Sequence, residues 1–141
     1  MRPNLFVIGA PKCGTSSLFN WLAHHPDIRG SRVKESFFLT DPANPMSRRP
    51  NLVHDGMAAY ETLFAPEDAT APVRMEATTH YLFDSMARDA IAAMIDARVV
   101  VVFREPAARV YSSFQYTANN LARLSPSLTF AHYVSMIKAG E

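Results

Sequence analysis

A lysine held between two glycines and followed by a run of hydroxyl residues, Gly9-Ala-Pro-Lys-Cys-Gly-Thr-Ser-Ser17, is the stretch of this chain best suited to holding an anion. Gly9 and Gly14 can take backbone angles closed to other residues. Thr15, Ser16 and Ser17 open a helix, and the first N–H groups of a helix lack intrahelical partners and favour negative charge. The stretch therefore reads as a phosphate cradle. The position of the lysine narrows the chemistry. In the triphosphate loop G-x-x-x-x-G-K-[ST] the lysine follows the second glycine directly. Here position 15 is Thr, and Lys12 lies inside the loop after Pro11, so an ATP or GTP γ-phosphate fits poorly.

A second group of anion-binding residues lies far along the chain, in Arg104-Glu-Pro-Ala-Ala-Arg-Val-Tyr-Ser112. A guanidinium fork matches a phosphate, and Pro106 can begin a helix that carries Ser112. Each feature has a plainer reading. The glycines could shape a simple turn, Arg104 could pair with a surface carboxylate, and Ser112 could face solvent.

These stretches together resemble sulfotransferases that use 3′-phosphoadenosine 5′-phosphosulfate (PAPS). Pro11-Lys12-Cys13-Gly14-Thr15-Ser16-Ser17 is similar to the family's 5′-phosphosulfate loop, in which the lysine also meets the bridging oxygen of the leaving group. Cys13 occupies a variable position of that loop and reads as a spacer. Arg104 to Ser112 is similar to the 3′-phosphate motif R-[DN]-P-x-x-R-x-x-S, with Arg104 and Ser112 as the phosphate ligands and Glu105 where Asp or Asn is usual. Lys34-Glu-Ser-Phe-Phe38 resembles the K-E-x-x-F-F segment of heparan-sulfate-type and bacterial members, whose glutamate is the proposed catalytic base. Glu76-Ala-Thr-Thr-His-Tyr81 resembles a third segment, with Ala77 in place of a frequent lysine and Thr79 in place of the usual proline. His25-Pro-Asp27 follows the first helix as in many relatives.

The resemblance implies a sulfotransferase with PAPS as donor, 3′-phosphoadenosine 5′-phosphate (PAP) as product and no metal. It assigns Lys12 and Glu35 catalytic roles, with His80 as the alternative base. The acceptor would be a small molecule, carbohydrate or lipid. The alternatives are a P-loop nucleotide kinase or NTPase, and a non-catalytic nucleotide-binding fragment.

The elements that must position these residues follow from hydrophobic pattern. Leu5 to Ile8 is a continuous apolar run, as in a strand covered on both faces, and Arg98 to Phe103 is a second such run. Val73 to Glu76 is a further expected parallel strand. Helices are expected over Thr15 to His24, with Leu18, Trp21 and Leu22 on one face, and over Tyr60 to Phe64, Ser85 to Ala97, Ala107 to Asn120 and Phe130 to Lys138. Tyr133, Val134 and Ile137 form the apolar face of the last. Asp41 to Asp55, with three prolines, reads as a surface loop. The fold class expected is α/β, a three-layer P-loop-type fold on a parallel sheet, incomplete at its C-terminus. Loops at the carboxyl edge of such a sheet would bring Lys12, Glu76 and Arg104 to one crevice.

Composition sets the remaining bounds. With 141 residues and 48% hydrophobic content the chain can bury one core, so residues 1–141 are expected to form a single sulfotransferase domain. The charges, 14 basic against 13 acidic, argue against a nucleic-acid surface. One cysteine excludes an internal disulfide. The absence of a membrane-length apolar stretch and of a signal-like start points to the cytoplasm. Members of the resembling family continue past the region matching Glu141, so an open sheet edge and self-association are expected.

Overall fold

The computed structural model describes residues 2–119, 125 and 127–140. The chain divides into two compact units, Met1–Phe103 and Arg104–Glu141. The first is built on a parallel sheet of four strands, β1 (Leu5–Gly9), β2 (Ile28–Gly30), β3 (Val73–Ala77) and β4 (Arg98–Val101), in the order β2-β3-β1-β4. Leu5, Phe6 and Val7 pair with Met75, Glu76 and Ala77 on one side of β1, and with Arg98, Val99 and Val100 on the other.

Alternation along the inner strands sends side chains to two layers. Val7, Met75 and Ala77 face α1 (Thr15–Ala23), which packs on them through Leu18, Phe19 and Leu22. Phe6 faces the opposite layer, with α2 (Leu52–Glu61), α3 (Ser85–Ala92) and the buried residues Phe38, Leu39, Tyr60 and Tyr81. Phe38 and Tyr60 stack there with ring centroids 4.3 Å apart. Helices on both faces of a parallel sheet give the expected three-layer α/β architecture.

Several boundaries differ from the sequence expectation. Trp21 is 74% exposed, because the buried stripe of α1 runs through Thr15, Leu18, Phe19 and Leu22, the spacing of one helical face. The loop expected to reach Asp55 gives way at Asn51, whose side chain accepts the Val53 N–H and starts α2, eight residues before Tyr60. Gly56, at φ 68°, interrupts that helix. The helix expected to Ala97 ends at Ala92; its alanine-rich sequence carries no stop signal that would mark that end, so the expectation ran on. Strand β2 has three residues, too few to show periodicity. Its glycine is needed for contact: a Cβ at Gly30 would lie 2.6 Å from Phe19 Cζ.

Strand β4 reads from its valines as covered on both faces, but Val99 is 48% exposed. Its place at the end of the sheet gives the open edge that was expected. A groove of about 710 Å³ lies beside it, lined by Ile8, Leu82, Phe83, Ile91, Ile95 and Val99 among others. No helix among the described residues is long and apolar enough to cross a membrane.

The second unit consists of α4 (Pro106–Asn119) and α5 (Phe130–Ala139). Phe114 packs between Phe130 and Tyr133, with centroids 5.5 and 5.3 Å away, and Tyr111 meets Phe130 edge-on at 5.1 Å. Tyr133 and Val134 are half-buried as expected, and Ile137 is exposed. Asn120 lies outside the described residues.

Candidate active site

The loop after β1 turns on two left-handed residues, Lys12 at φ 65° and Gly14 at φ 92°. For lysine this conformation costs about 1–2 kcal/mol, so the surrounding loop must hold it. Cys13 is buried and donates from Sγ to the Pro11 carbonyl at 3.6 Å, while its N–H bonds Ala10 O at 3.3 Å. The tight turn leaves Lys12 half-buried, and desolvation lowers its ammonium pKa below the ordinary 10.5.

Gly14 is also the N-cap of α1. It has no side chain to offer the first turn, and no acidic residue lies there. The Leu18 N–H is the first to find a partner in the helix, on Gly14 O at 3.0 Å. The N–H groups of Thr15, Ser16 and Ser17 precede it without an intrahelical acceptor, and apart from its chain neighbours nothing lies within 4 Å of where a Gly14 Cβ would be. An anion is the chemical complement of this arrangement. Gly9 has a different reason to be glycine, since a Cβ there would meet Leu82 Cδ2 at 2.9 Å.

Glu35 sits in an irregular segment, residues 31–41, whose backbone is secured by side chains rather than by a ladder. The Ser36 and Phe37 N–H groups donate to Thr78 Oγ1 at 3.0 and 3.3 Å, and Leu39 N–H donates to Tyr81 Oη at 3.1 Å. Asp84 Oδ2 accepts the Asp41 N–H at 3.1 Å. The segment is thereby fastened to β3 and the 3-10 turn Thr79–Phe83 that follows it. The Glu35 carboxylate accepts Lys34 Nζ on Oε1 at 2.8 Å, and the Thr79 N–H and hydroxyl on Oε2 at 2.6 and 3.0 Å. Arg48 donates to the Glu35 carbonyl and lies over the Phe37 ring at 4.6 Å.

Glu76 does not line a crevice as the sequence suggested. Its position on β3 turns it into the apolar layer, where it is fully buried. Ser36 Oγ and Thr78 Oγ1 donate to its Oε1 at 2.8 and 2.6 Å. Burial pushes the Glu76 carboxyl up to about 7, against the opposing effect of those hydroxyls. The phenols of Tyr60 and Tyr81 beside it are also pushed up by burial. His80 is half-buried between rings, with centroids 6.0 Å from Phe37 and 6.4 Å from Phe83.

Strands β1 and β3 are parallel neighbours, so the Lys12 loop and the Glu35–Thr79 contact leave the same carboxyl edge. The chain passes from β1 to β2 along the α1 face and from β3 to β4 along the α3 face. Such a point, where adjacent strands send their connections opposite ways, opens a crevice in α/β sheets.

Arg104, Arg109 and Ser112 belong to the second unit. Glu105, the departure from the usual Asp or Asn, caps α4: Oε1 accepts the Ala107 N–H at 2.9 Å and Oε2 the Ala108 N–H at 2.7 Å. Those bonds hold its carboxyl below the usual range. The turn expected from a shorter cap residue is therefore kept. Arg109 and Ser112, three apart on α4, are neighbours along the helix surface.

Sequence reasoning noted Thr79 only as a replacement for the usual proline and gave Ser36, Thr78 and Tyr81 no role, so their network was missed. The available signal was the Thr-Thr pair at the end of β3, which offers two hydroxyls where the similar pattern has a proline.

A family model described as "Sulfotransferase family" matches residues 3–137. The chain is 30% identical over 131 residues to mouse heparan sulfate glucosamine 3-O-sulfotransferase 3B1, covering 91% of this chain and 30% of that protein. It is 23% identical over 155 residues to human carbohydrate sulfotransferase 15, covering 84% of this chain and 28% of that one. Among solved structures, a sulfotransferase from Alicyclobacillus acidocaldarius superposes with a TM-score of 0.76 at 29% identity, over 99% of this chain and 58% of the other. The chain thus spans about a third of the length of these curated relatives and somewhat more than half of the solved one.

Proposed function

We propose, from the premise that this chain belongs to the sulfotransferase family, that it carries the donor-binding part of an enzyme moving a sulfuryl group from PAPS to an acceptor hydroxyl or amine. The observation that carries this reading is the loop after β1. Its lysine is held inside a left-handed bend, directly before a helix start that no side chain caps and no acidic residue neutralises. That donor set suits the 5′-phosphate of PAPS, which when bound supplies a sulfuryl group on a phosphate leaving group.

The residues would divide the work as follows. The N–H groups and hydroxyls of Gly14, Thr15, Ser16 and Ser17 hold the 5′-phosphate, with Pro11 and Cys13 shaping the turn. Lys12 neutralises charge as it develops on the leaving oxygen. Arg104 and Ser112 take the 3′-phosphate. Glu35 accepts the acceptor's proton. No metal enters the scheme, and insensitivity of turnover to EDTA tests that part of it. A carbohydrate hydroxyl is the favoured acceptor class, because the relatives named above are sulfotransferases of heparan sulfate glucosamine and of carbohydrate. The exposed edge of β4 supports self-association of residues 1–141, which light scattering tests.

Calorimetric titration of the protein with PAP and with AMP tests the donor. The expected result is tighter binding of PAP. Equal affinities would overturn the assignment.

A further inference from the structure

The two oxygens of the Glu35 carboxylate are not equivalent. Oε2 accepts two hydrogen bonds, from the Thr79 N–H at 2.6 Å and the Thr79 hydroxyl at 3.0 Å. Oε1 accepts one among the described residues, from Lys34 Nζ at 2.8 Å. A carboxylate oxygen has about two lone-pair sites, so Oε2 is saturated while Oε1 keeps one open.

Local structure explains why Thr79 can do this. It opens the 3-10 turn directly after β3, where a backbone N–H has no partner within the turn. Its hydroxyl then reaches the same oxygen from the same residue. A proline at this place, as in the pattern quoted above, would supply neither donor. Lys34, by contrast, is sequence-adjacent to Glu35 and reaches it through a long flexible stem that can move aside.

We propose that Thr79 is a positioning residue that locks Glu35 through Oε2, leaving Oε1 as the oxygen that takes the acceptor's proton. The proposal rests on the reading of Glu35 as base. In the step, the acceptor O–H bond breaks with its proton passing to Glu35 Oε1. The acceptor oxygen forms a new bond to sulfur, and the bond from sulfur to the phosphate oxygen breaks with its electron pair leaving on the phosphate. The fixed Oε2 prevents the carboxylate from turning as its charge is lost.

Two measurements test this on the full chain. Proton NMR reads the geometry without turnover: the Thr79 amide resonance, shifted downfield by a short bond to a carboxylate, should move upfield in Glu35→Gln. An unmoved resonance overturns the proposal. Kinetics with PAPS, and heparan sulfate as the acceptor probe, read the consequence. Thr79→Val should lower kcat about tenfold, as loss of one hydrogen bond to a charged group does, with KM for PAPS unchanged. Thr79→Ser, which restores the hydroxyl, should recover at least half of kcat. Normal kcat in Thr79→Val beside an inactive Glu35→Gln overturns the positioning role and leaves the base intact. Normal kcat in Glu35→Gln removes the base reading itself.

Discussion

Ser36 Oγ donates to Glu76 Oε1 at 2.8 Å, joining residues forty apart in sequence. Through this bond the irregular segment displaying Glu35 is fastened to the middle of the sheet. The same hydroxyl accepts the Phe38 N–H at 3.2 Å and meets Tyr81 Oη at 3.2 Å, so one serine links backbone, phenol and carboxyl. A buried polar network of this kind is favourable only while every member is satisfied.

Glu76 makes that network sensitive to pH. Its folded-state pKa is raised from 4.5 to about 7, so the folded protein binds this proton more tightly than the unfolded chain. The resulting stability is fully present below the unfolded value and is lost as pH rises through about 7, amounting to about 3 kcal/mol. Glu76→Gln, neutral throughout, should have urea midpoints that change little between about pH 5 and pH 8, where the parent loses stability. A parent protein equally stable at both would show that Glu76 is charged without penalty.

Lys12→Ala and Glu35→Gln should each lower turnover by about two to three orders of magnitude, the scale of a transition-state electrostatic contact or a general base. Binding separates them. Lys12→Ala should weaken PAP in a calorimetric titration, whereas Glu35→Gln should leave its affinity nearly unchanged. Near-normal turnover in Glu35→Gln would shift the base to His80.

Arg104→Ala should remove most of the preference for PAP over AMP. A charge-assisted phosphate contact corresponds to about a ten- to hundredfold difference in affinity. AMP binding should be unaffected, because AMP has no 3′-phosphate. An unchanged ratio of the two affinities would detach Arg104 from the donor.

Gly9→Ala and Gly14→Ala should both destabilise, for different reasons. At Gly9 the new methyl meets Leu82 Cδ2 at 2.9 Å, and such overpacking costs about 1–3 kcal/mol. Shortening Leu82 to Ala in the same chain should recover part of that loss. At Gly14 nothing lies within 4 Å, so the cost comes from φ 92° alone and no neighbouring substitution should relieve it. Denaturant midpoints of the single and double variants distinguish the two.

The sequence by itself determined the local pieces of this protein. The apolar run Leu5 to Ile8, the glycine-flanked lysine and the hydroxyl run after it announce strand, loop and helix, because each depends on neighbours within a few residues. At Glu105 the sequence showed only a longer carboxylate before Pro106, and the structure showed it capping the turn through the Ala107 and Ala108 N–H groups. Tertiary structure decided what each strand position faces and which distant residues meet. Glu76 reads as a site residue by its motif, yet register with Phe6 sends it into the core. Glu35 gains a second anchor from Thr79, 44 residues away, which no local pattern encodes. The valines of β4 promise a strand covered on both faces, but coverage depends on what packs over the strand, and Val99 is 48% exposed. Hydrogen-bond capacity and hydrophobicity are properties of single residues, whereas partnership is settled only when the sheet order brings their neighbours into place.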